Sequence, residues 1–198
     1  MKNNKILWFD TETTGLDPQK NSIIQIAGIV EINGEVKDEF NLKSNIFDDT
    51  EVTQESLNVH NISIEIIKSF PKPQLVKRTL TNILEKYIDK YDKTDKFIPA
   101  GYNVAFDISM LNSFFFKCGD NYLGSYIERR RAIDVMSLAN YCRIKNIFDT
   151  ETARLENTAK HFGITIQAHD AMSDITATRE LFYILDKQLR YHYLVFRR

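Results

Sequence analysis

Apolar positions along this chain fall into two periods, and each change of period marks an element. Residues 6–9 (Ile-Leu-Trp-Phe) and 23–30 (Ile-Ile-Gln-Ile-Ala-Gly-Ile-Val) are near-continuous apolar runs, the pattern of strands buried on both faces. Asn33-Gly34 then predicts a hairpin turn, so residues 36–43 read as the returning antiparallel strand. Residues 45–61 are polar and acidic without a clear period, which predicts loop and short helix. Pro71 and Pro73 mark a break before a helix. Leu75, Val76, Leu80, Ile83, Leu84, Tyr87, Ile88 and Tyr91 recur at helical spacing, so that helix is expected to be amphipathic and to reach Tyr91. The charged stretch 89–96 reads as its solvated end and a loop.

Residues 97–101 predict a fourth strand. Residues 104–117 predict a helix ending near Gly119, with Phe114, Phe115 and Phe116 read as core rather than as a stacking platform. Ala132 and Ile133 suggest a short fifth strand, and Asp134 reads as the N-cap of a helix through Ile144 in preference to a metal ligand. A short helix over 155–162 is closed by Gly163. Ala171, Ile175, Thr178, Phe182, Leu185 and Leu189 trace the stripe of a last, long helix. Three strands, helix, strand, helix, strand, helices: the order predicts an α/β fold, a mixed sheet with helices packed on its faces. No internal repeat or linker interrupts it, so one domain over 1–198 is expected.

Composition adds limits. The 198 residues carry a formal net charge of −1, which supplies no global basic field for tight non-specific nucleic-acid binding. A small site in which metal ions provide the positive charge stays open. Cys118 and Cys142 have no paired spacing and read as free thiols in a reducing compartment. The N-terminus enters a strand within a few residues, and no apolar run approaches the roughly 20 residues of a membrane span. A soluble, cytoplasmic protein without membrane contact is the expectation.

Candidate chemistry gathers at three separated places. Asp10 and Glu12 end the first apolar run; at i and i+2 of a strand they point the same way. Two carboxylates crowded at the end of a buried strand repel and lose hydration, which a divalent cation such as Mg²⁺ or Mn²⁺ relieves. Asn103-Val104-Ala105-Phe106-Asp107 follows the fourth strand, and His169-Asp170-Ala171-Met172-Ser173-Asp174 opens the last helix. With the first and fourth strands adjacent, Asp10, Glu12 and Asp107 can converge, and the last helix must cross the sheet to bring in Asp174.

This pattern resembles the DEDD superfamily of 3′–5′ exonucleases, in the branch with a catalytic histidine (DEDDh). Its first motif, Asp-x-Glu, stands here as Asp10-Thr11-Glu12-Thr13-Thr14-Gly15-Leu16; its second, Asn-x-x-Phe-Asp, as Asn103 to Asp107; its third, His-x-x-x-x-Asp, as His169 to Asp174. Val59-His60-Asn61-Ile62 is similar to a Val-His-Gly-Ile segment of proofreading relatives, with Asn61 in place of glycine, and Tyr102 stands where many relatives carry histidine. The likeness runs toward the epsilon proofreading subunit of bacterial DNA polymerase III.

The resemblance implies a ribonuclease H-like fold with sheet order 3-2-1-4-5. It also implies two Mg²⁺ ions, replaceable by Mn²⁺, held by Asp10, Glu12, Asp107 and Asp174. His169 would be the general base, for which an unperturbed pKa near 6.5 is suited. Substrate contacts are expected from Thr11, Thr13, Thr14, Gly15, Leu16, His60, Asn103 and Phe106, with Leu16 wedged against the last base. Leu16 as a core plug is the plainer alternative. Arg129, Arg130, Arg131, Arg197 and Arg198 are candidate phosphate contacts; His161 and His192 carry no motif. The expected activity is 3′–5′ hydrolysis of single-stranded or frayed DNA, releasing nucleoside 5′-monophosphates, with a DNA polymerase as a candidate partner. The alternatives are an exoribonuclease of the same branch and a catalytically silent subunit of a polymerase or repair assembly.

Overall fold

The structure is a computed structural model, and it describes residues 4–60, 62–167 and 170–195. Five strands, β1 (Lys5–Thr13), β2 (Ile23–Ile32), β3 (Glu35–Lys43), β4 (Ile98–Gly101) and β5 (Ile133–Asp134), form one mixed sheet in the order β3-β2-β1-β4-β5. β1, β2 and β3 are antiparallel neighbours, while β4 runs parallel to β1 and β5 parallel to β4. This is the expected ribonuclease H-like order. Asn33 and Gly34, both at positive φ (55° and 87°), make the tight turn that closes the β2–β3 hairpin.

The alternation of β1 distributes two cores over the two faces of the sheet. Leu7 and Phe9 pack with α3 (Pro73–Leu84) and α4 (Val104–Lys117). Trp8 packs on the opposite face with α5 (Val135–Ile144) and α7 (Ala171–Val195). Three short helices, α1 (Gln54–His60), α2 (Ile64–Lys68) and α6 (Leu155–His161), and two 3-10 turns, Leu123–Ser125 and Arg129–Arg131, complete the described elements. By this parity Asp10 and Glu12 project to the α7 face, and Thr11 to the α4 face.

α7 is fastened to the sheet by a buried polar cluster. Glu31 of β2 is 1% exposed. It accepts from Trp8 Nε1 at 3.2 Å, from Arg179 Nε at 2.7 Å and from the Tyr183 hydroxyl. A carboxylate buried without such partners would be left as an uncompensated charge.

Two expectations need correction. The helix expected to reach Tyr91 stops at Leu84. The chain then tightens into i→i+3 bonds (Lys86 N to Ile83 O, Tyr87 N to Leu84 O), and Lys5 Nζ donates to the Tyr87 carbonyl at 2.6 Å. Ile88 stays buried by turning inward rather than by helical continuation. The Phe triplet also divides. Phe114 and Phe115 are core, but Phe116 is 65% exposed, because three successive helical positions span 200° and cannot share one face. Cys118 and Cys142 are free, His161 packs edge-on against Phe162 beside Phe148, and no described helix is long and apolar enough to cross a membrane.

Candidate active site

The site lies where β1 ends between the N-termini of α4 and α7. Carboxylate oxygens of Asp10, Glu12 and Asp174 lie within 4.8 Å of one another. Asp10 and Glu12 share the α7 face of β1, and Asp174 is delivered by the first turn of α7. Asp170 caps that turn: its Oδ1 accepts from Ser173 N at 3.0 Å, and its carbonyl accepts from Asp174 N at 3.0 Å.

Asp107 does not join the three-carboxylate group. It sits in the first turn of α4 and is 3% exposed. Its Oδ1 accepts from Thr11 N at 3.0 Å and from Thr11 Oγ1 at 2.7 Å. Thr11, expected at the substrate, is therefore buried behind the carboxylates and spends both donors on Asp107. The turn before α4 is held by Asp134, whose Oδ1 accepts from Asn103 N at 2.9 Å and from Met136 N at 3.1 Å, so Asp134 is the expected N-cap of α5. Asn103 itself takes the left-handed conformation (φ 60°), one that asparagine tolerates better than most residues. Its side chain is exposed and Phe106 is half-buried.

The loop after β1 is rigidly tied. Thr14 is buried, donates to the Glu51 carbonyl at 3.0 Å and accepts from Ser22 N at 3.0 Å. Thr13 Oγ1 donates to the Gly15 carbonyl at 2.8 Å. A Cβ on Gly15 would stand 2.6 Å from Asn21 Oδ1, which itself accepts from Asp17 N at 2.8 Å. The structure places Thr13 and Thr14 as the frame of this loop rather than on its surface. What the loop presents is Leu16, 83% exposed, which removes the core-plug alternative.

The electrostatics follow from crowding in a dry place. Burial, then the charges of Asp107, Glu12, Asp174 and Asp170, hold the Asp10 carboxyl well above the usual range. Burial pushes Asp107 up to about 7 despite the two Thr11 bonds, and burial with the charges of Glu12, Glu156 and Asp170 pushes Asp174 up to about 7. Asp174 Oδ1 is buried with no hydrogen-bond partner. An orphaned carboxylate oxygen facing two further carboxylates fits a hard divalent cation. Asp10, Glu12 and Asp174 could hold one as they stand, and Asp107 borders them through its charge.

A pH dependence follows. A carboxyl whose folded pKa is raised contributes stability that is fully present below about pH 4 and is lost as pH rises through its folded value of about 7. In EDTA, the melting temperature should therefore fall between pH 5 and pH 8, the Asp107→Asn variant should fall less, and Mg²⁺ at pH 8 should restore the loss. Equal slopes for the two proteins in thermal melts would contradict this account.

Sequence reasoning did not single out Gln25, which faces Glu12 across the β1–β2 ladder. Gln25 Nε2 donates to Asn41 Oδ1 at 2.8 Å and reaches Asp170 Oδ2 at 3.4 Å, tying the sheet to the start of α7. The available signal was a lone amide in the otherwise apolar run of residues 23–30. His169 lies outside the described residues, as do Asn61, Arg197 and Arg198, and the His60 side chain is likewise not described. Arg129, Arg130 and Arg131 form an exposed 3-10 turn.

The exonuclease family RNase_T matches residues 7–182. The chain belongs to this exonuclease family, within the DEDD superfamily of 3′–5′ exonucleases. It is 27% identical over 195 residues to the PolC-type DNA polymerase III of Pediococcus pentosaceus, covering 98% of this chain and 12% of that one. It is 26% identical over 193 residues to the Staphylococcus aureus PolC-type enzyme, again covering 12% of it. The chain thus spans about an eighth of the length of these relatives. Among solved structures, Escherichia coli exonuclease I in complex with a dT13 oligonucleotide superposes with a TM-score of 0.78 at 20% identity, covering 96% of this chain and 42% of that one. The exonuclease I of Methylocaldum szegediense superposes with a TM-score of 0.71 at 22% identity, covering 92% and 40%. These likenesses agree with the fold derived above.

Proposed function

We propose that this member of the exonuclease family hydrolyses single-stranded or frayed DNA from the 3′ end, with the catalytic-histidine chemistry of the DEDDh branch. The observation that carries the reading is the gathering of the Asp10, Glu12 and Asp174 carboxylates, with one Asp174 oxygen buried and unpartnered. DNA is favoured over RNA because the curated relatives are DNA polymerases and the solved neighbours include complexes with dT13 and dA16 oligonucleotides. A DNA polymerase is the proposed partner for the same reason, and a cytoplasmic location follows from that role.

Two Mg²⁺ ions (or Mn²⁺), held by Asp10, Glu12, Asp107 and Asp174, would supply Lewis-acid activation of water and offset the charge on the departing oxygen. The chain's own residues do the rest. Asp10, which shares the α7 face of β1 with Glu12, would be one of the ligands. Thr11 orients Asp107. His169 takes the proton of the attacking water, the 3′ oxygen of the penultimate nucleotide leaves, and a nucleoside 5′-monophosphate is released. Leu16 projects against the terminal base from a loop framed by Thr13, Thr14 and Gly15. Asn103, Phe106 and His60 contact the terminal nucleotide.

His169→Ala should cut turnover by roughly 10²–10⁴-fold, the span of a general base; a loss below threefold in steady-state kinetics would reject that role. The reading as a whole is tested by side-by-side digestion of 5′-labelled DNA and RNA oligomers with Mg²⁺, with Asp10→Ala as control. Stepwise shortening of DNA from its 3′ end is expected. Shortening of RNA alone moves the assignment to the ribonucleases, and no hydrolysis of either favours a silent subunit.

A further inference from the structure

The proposed reaction uses only the first turn of α4, yet the exposed stripe of that helix continues away from the site. Ala105, Ser109, Asn112 and Phe116 are exposed along one line, with Ser113 and Lys117 beside them. This is the i, i+3, i+4, i+7 face of a helix. Together with Pro18, Gln19 and Asp49, the outer half of the stripe lines a groove of about 530 Å³. The groove starts at the loop that presents Leu16, because the Ser113 hydroxyl donates to the Pro18 carbonyl and docks that loop on α4.

Phe116 is the only phenylalanine among the exposed large apolar side chains of the described residues. The next residue, Lys117, has a buried ammonium with no hydrogen-bond partner; it sits 5.6 Å from the Phe47 ring centroid and 3.8 Å from Asp49 Oδ1. The Lys117 ammonium is thus already engaged, and the exposed cation beside the stripe is Arg129, whose Nη1 lies 3.5 Å from Asn112 Oδ1. An exposed aromatic face near an exposed guanidinium is a pairing that single-stranded nucleic acids use, base on ring and phosphate on the cation.

We infer that this groove binds the single strand upstream of the 3′ terminus, with Phe116 as the stacking platform for one base. The inference rests on the exonuclease reading for the position of the terminus, and it deepens that reading by adding a second contact. Asp107 and Phe116 are nine residues apart on one helix, about 14 Å at 1.5 Å per residue. That is the reach of roughly four nucleotides at the 3.4 Å per-strand rise of stacked DNA. A dinucleotide at the terminus site ends short of Phe116, and a dodecamer passes it.

The test is direct binding, so it does not depend on turnover. Fluorescence anisotropy with labelled oligo-dT of twelve residues, in EDTA, should give a Kd at least about fivefold weaker for Phe116→Ala than for the wild type, and close to wild type for Phe116→Tyr. Phe116 is 65% exposed, so the variants retain the core. A wild-type Kd in Phe116→Ala, or no dodecamer binding by the wild type, overturns the inference. Hydrolysis measured on the same samples with Mg²⁺ separates the two claims. Its absence would defeat the exonuclease reading, while the Kd comparison would still decide the role of Phe116. Where hydrolysis is present, Phe116→Ala should lower kcat/KM on the dodecamer relative to the dinucleotide by a similar factor.

Discussion

Asp10→Ala is expected to abolish hydrolysis and, in EDTA at pH 8, to melt at a higher temperature than the wild type. The two outcomes have one cause. Asp10 is half-buried among Asp107, Glu12, Asp174 and Asp170, each of which opposes its ionisation. In the metal-free protein its charge is a cost to the fold. Relief of an unpaired buried polar group is worth about 1–3 kcal/mol, and each kcal/mol moves the midpoint of a chain of this size by about 2–4 °C. With cations bound the sign reverses, because the same carboxylate becomes a ligand whose loss removes several kcal/mol of charge stabilisation. At 1.36 kcal/mol per decade, the rate should fall by about 10³-fold or more. Oligomer digestion and thermal melts on the same preparation check both halves. Activity within tenfold of wild type would mean that the acids are not where the chemistry occurs. A lower melting temperature in EDTA would mean that their repulsion is relieved by some group other than a cation.

Much of this site was legible because strand parity and motif order act locally. Asp10 and Glu12 had to share a face, and the apolar run before them had to be buried. Those two facts place two carboxylates at the end of a central strand before any coordinates are known. The sheet order was implied by the family resemblance and is observed. What was not legible depends on contacts between distant segments. That Asp107 would bond to Thr11 follows from α4 and α7 lying on opposite faces of β1, a matter of packing rather than period. The early end of α3 depends on Lys5, some 80 residues away in sequence, reaching the Tyr87 carbonyl (|i−j| of 82). The exposure of Phe116 could have been inferred, since the stripe through Ser109 and Asn112 was already polar; weighing the three phenylalanines together concealed it. Asp170 was visible only as a residue of the third motif; its capping of α7 and its field on Asp10 and Asp174 were not.

Arg179→Ala carries the largest expected loss of stability, and the reason is a charge that would be left behind. Glu31 is 1% exposed, and Arg179 is its cationic partner, at 2.7 Å. Without the guanidinium, the carboxylate keeps only two neutral donors, Trp8 Nε1 and the Tyr183 hydroxyl. Breaking a buried pair from one side costs about 3–5 kcal/mol. The Arg179 side chain is 24% exposed, so the lower end, about 3 kcal/mol, is expected. The consequence for the site is specific. Arg179 lies five residues beyond Asp174 on α7, and Trp8 lies two residues before Asp10 on β1, so the cluster fixes the two elements that bring these acids together. Loosening it should raise the metal concentration needed for half-maximal activity more than it lowers turnover at saturating metal. Glu31→Gln combined with Arg179→Met separates charge from packing. The double variant keeps the amide within reach of Trp8 and Tyr183 and leaves no charge buried, so urea denaturation should return most of the lost stability. If Arg179→Ala alone costs under about 1 kcal/mol, the Glu31 carboxylate has found water, and apolar packing of Ile175, Leu181 and Leu185 is what holds α7 to the sheet.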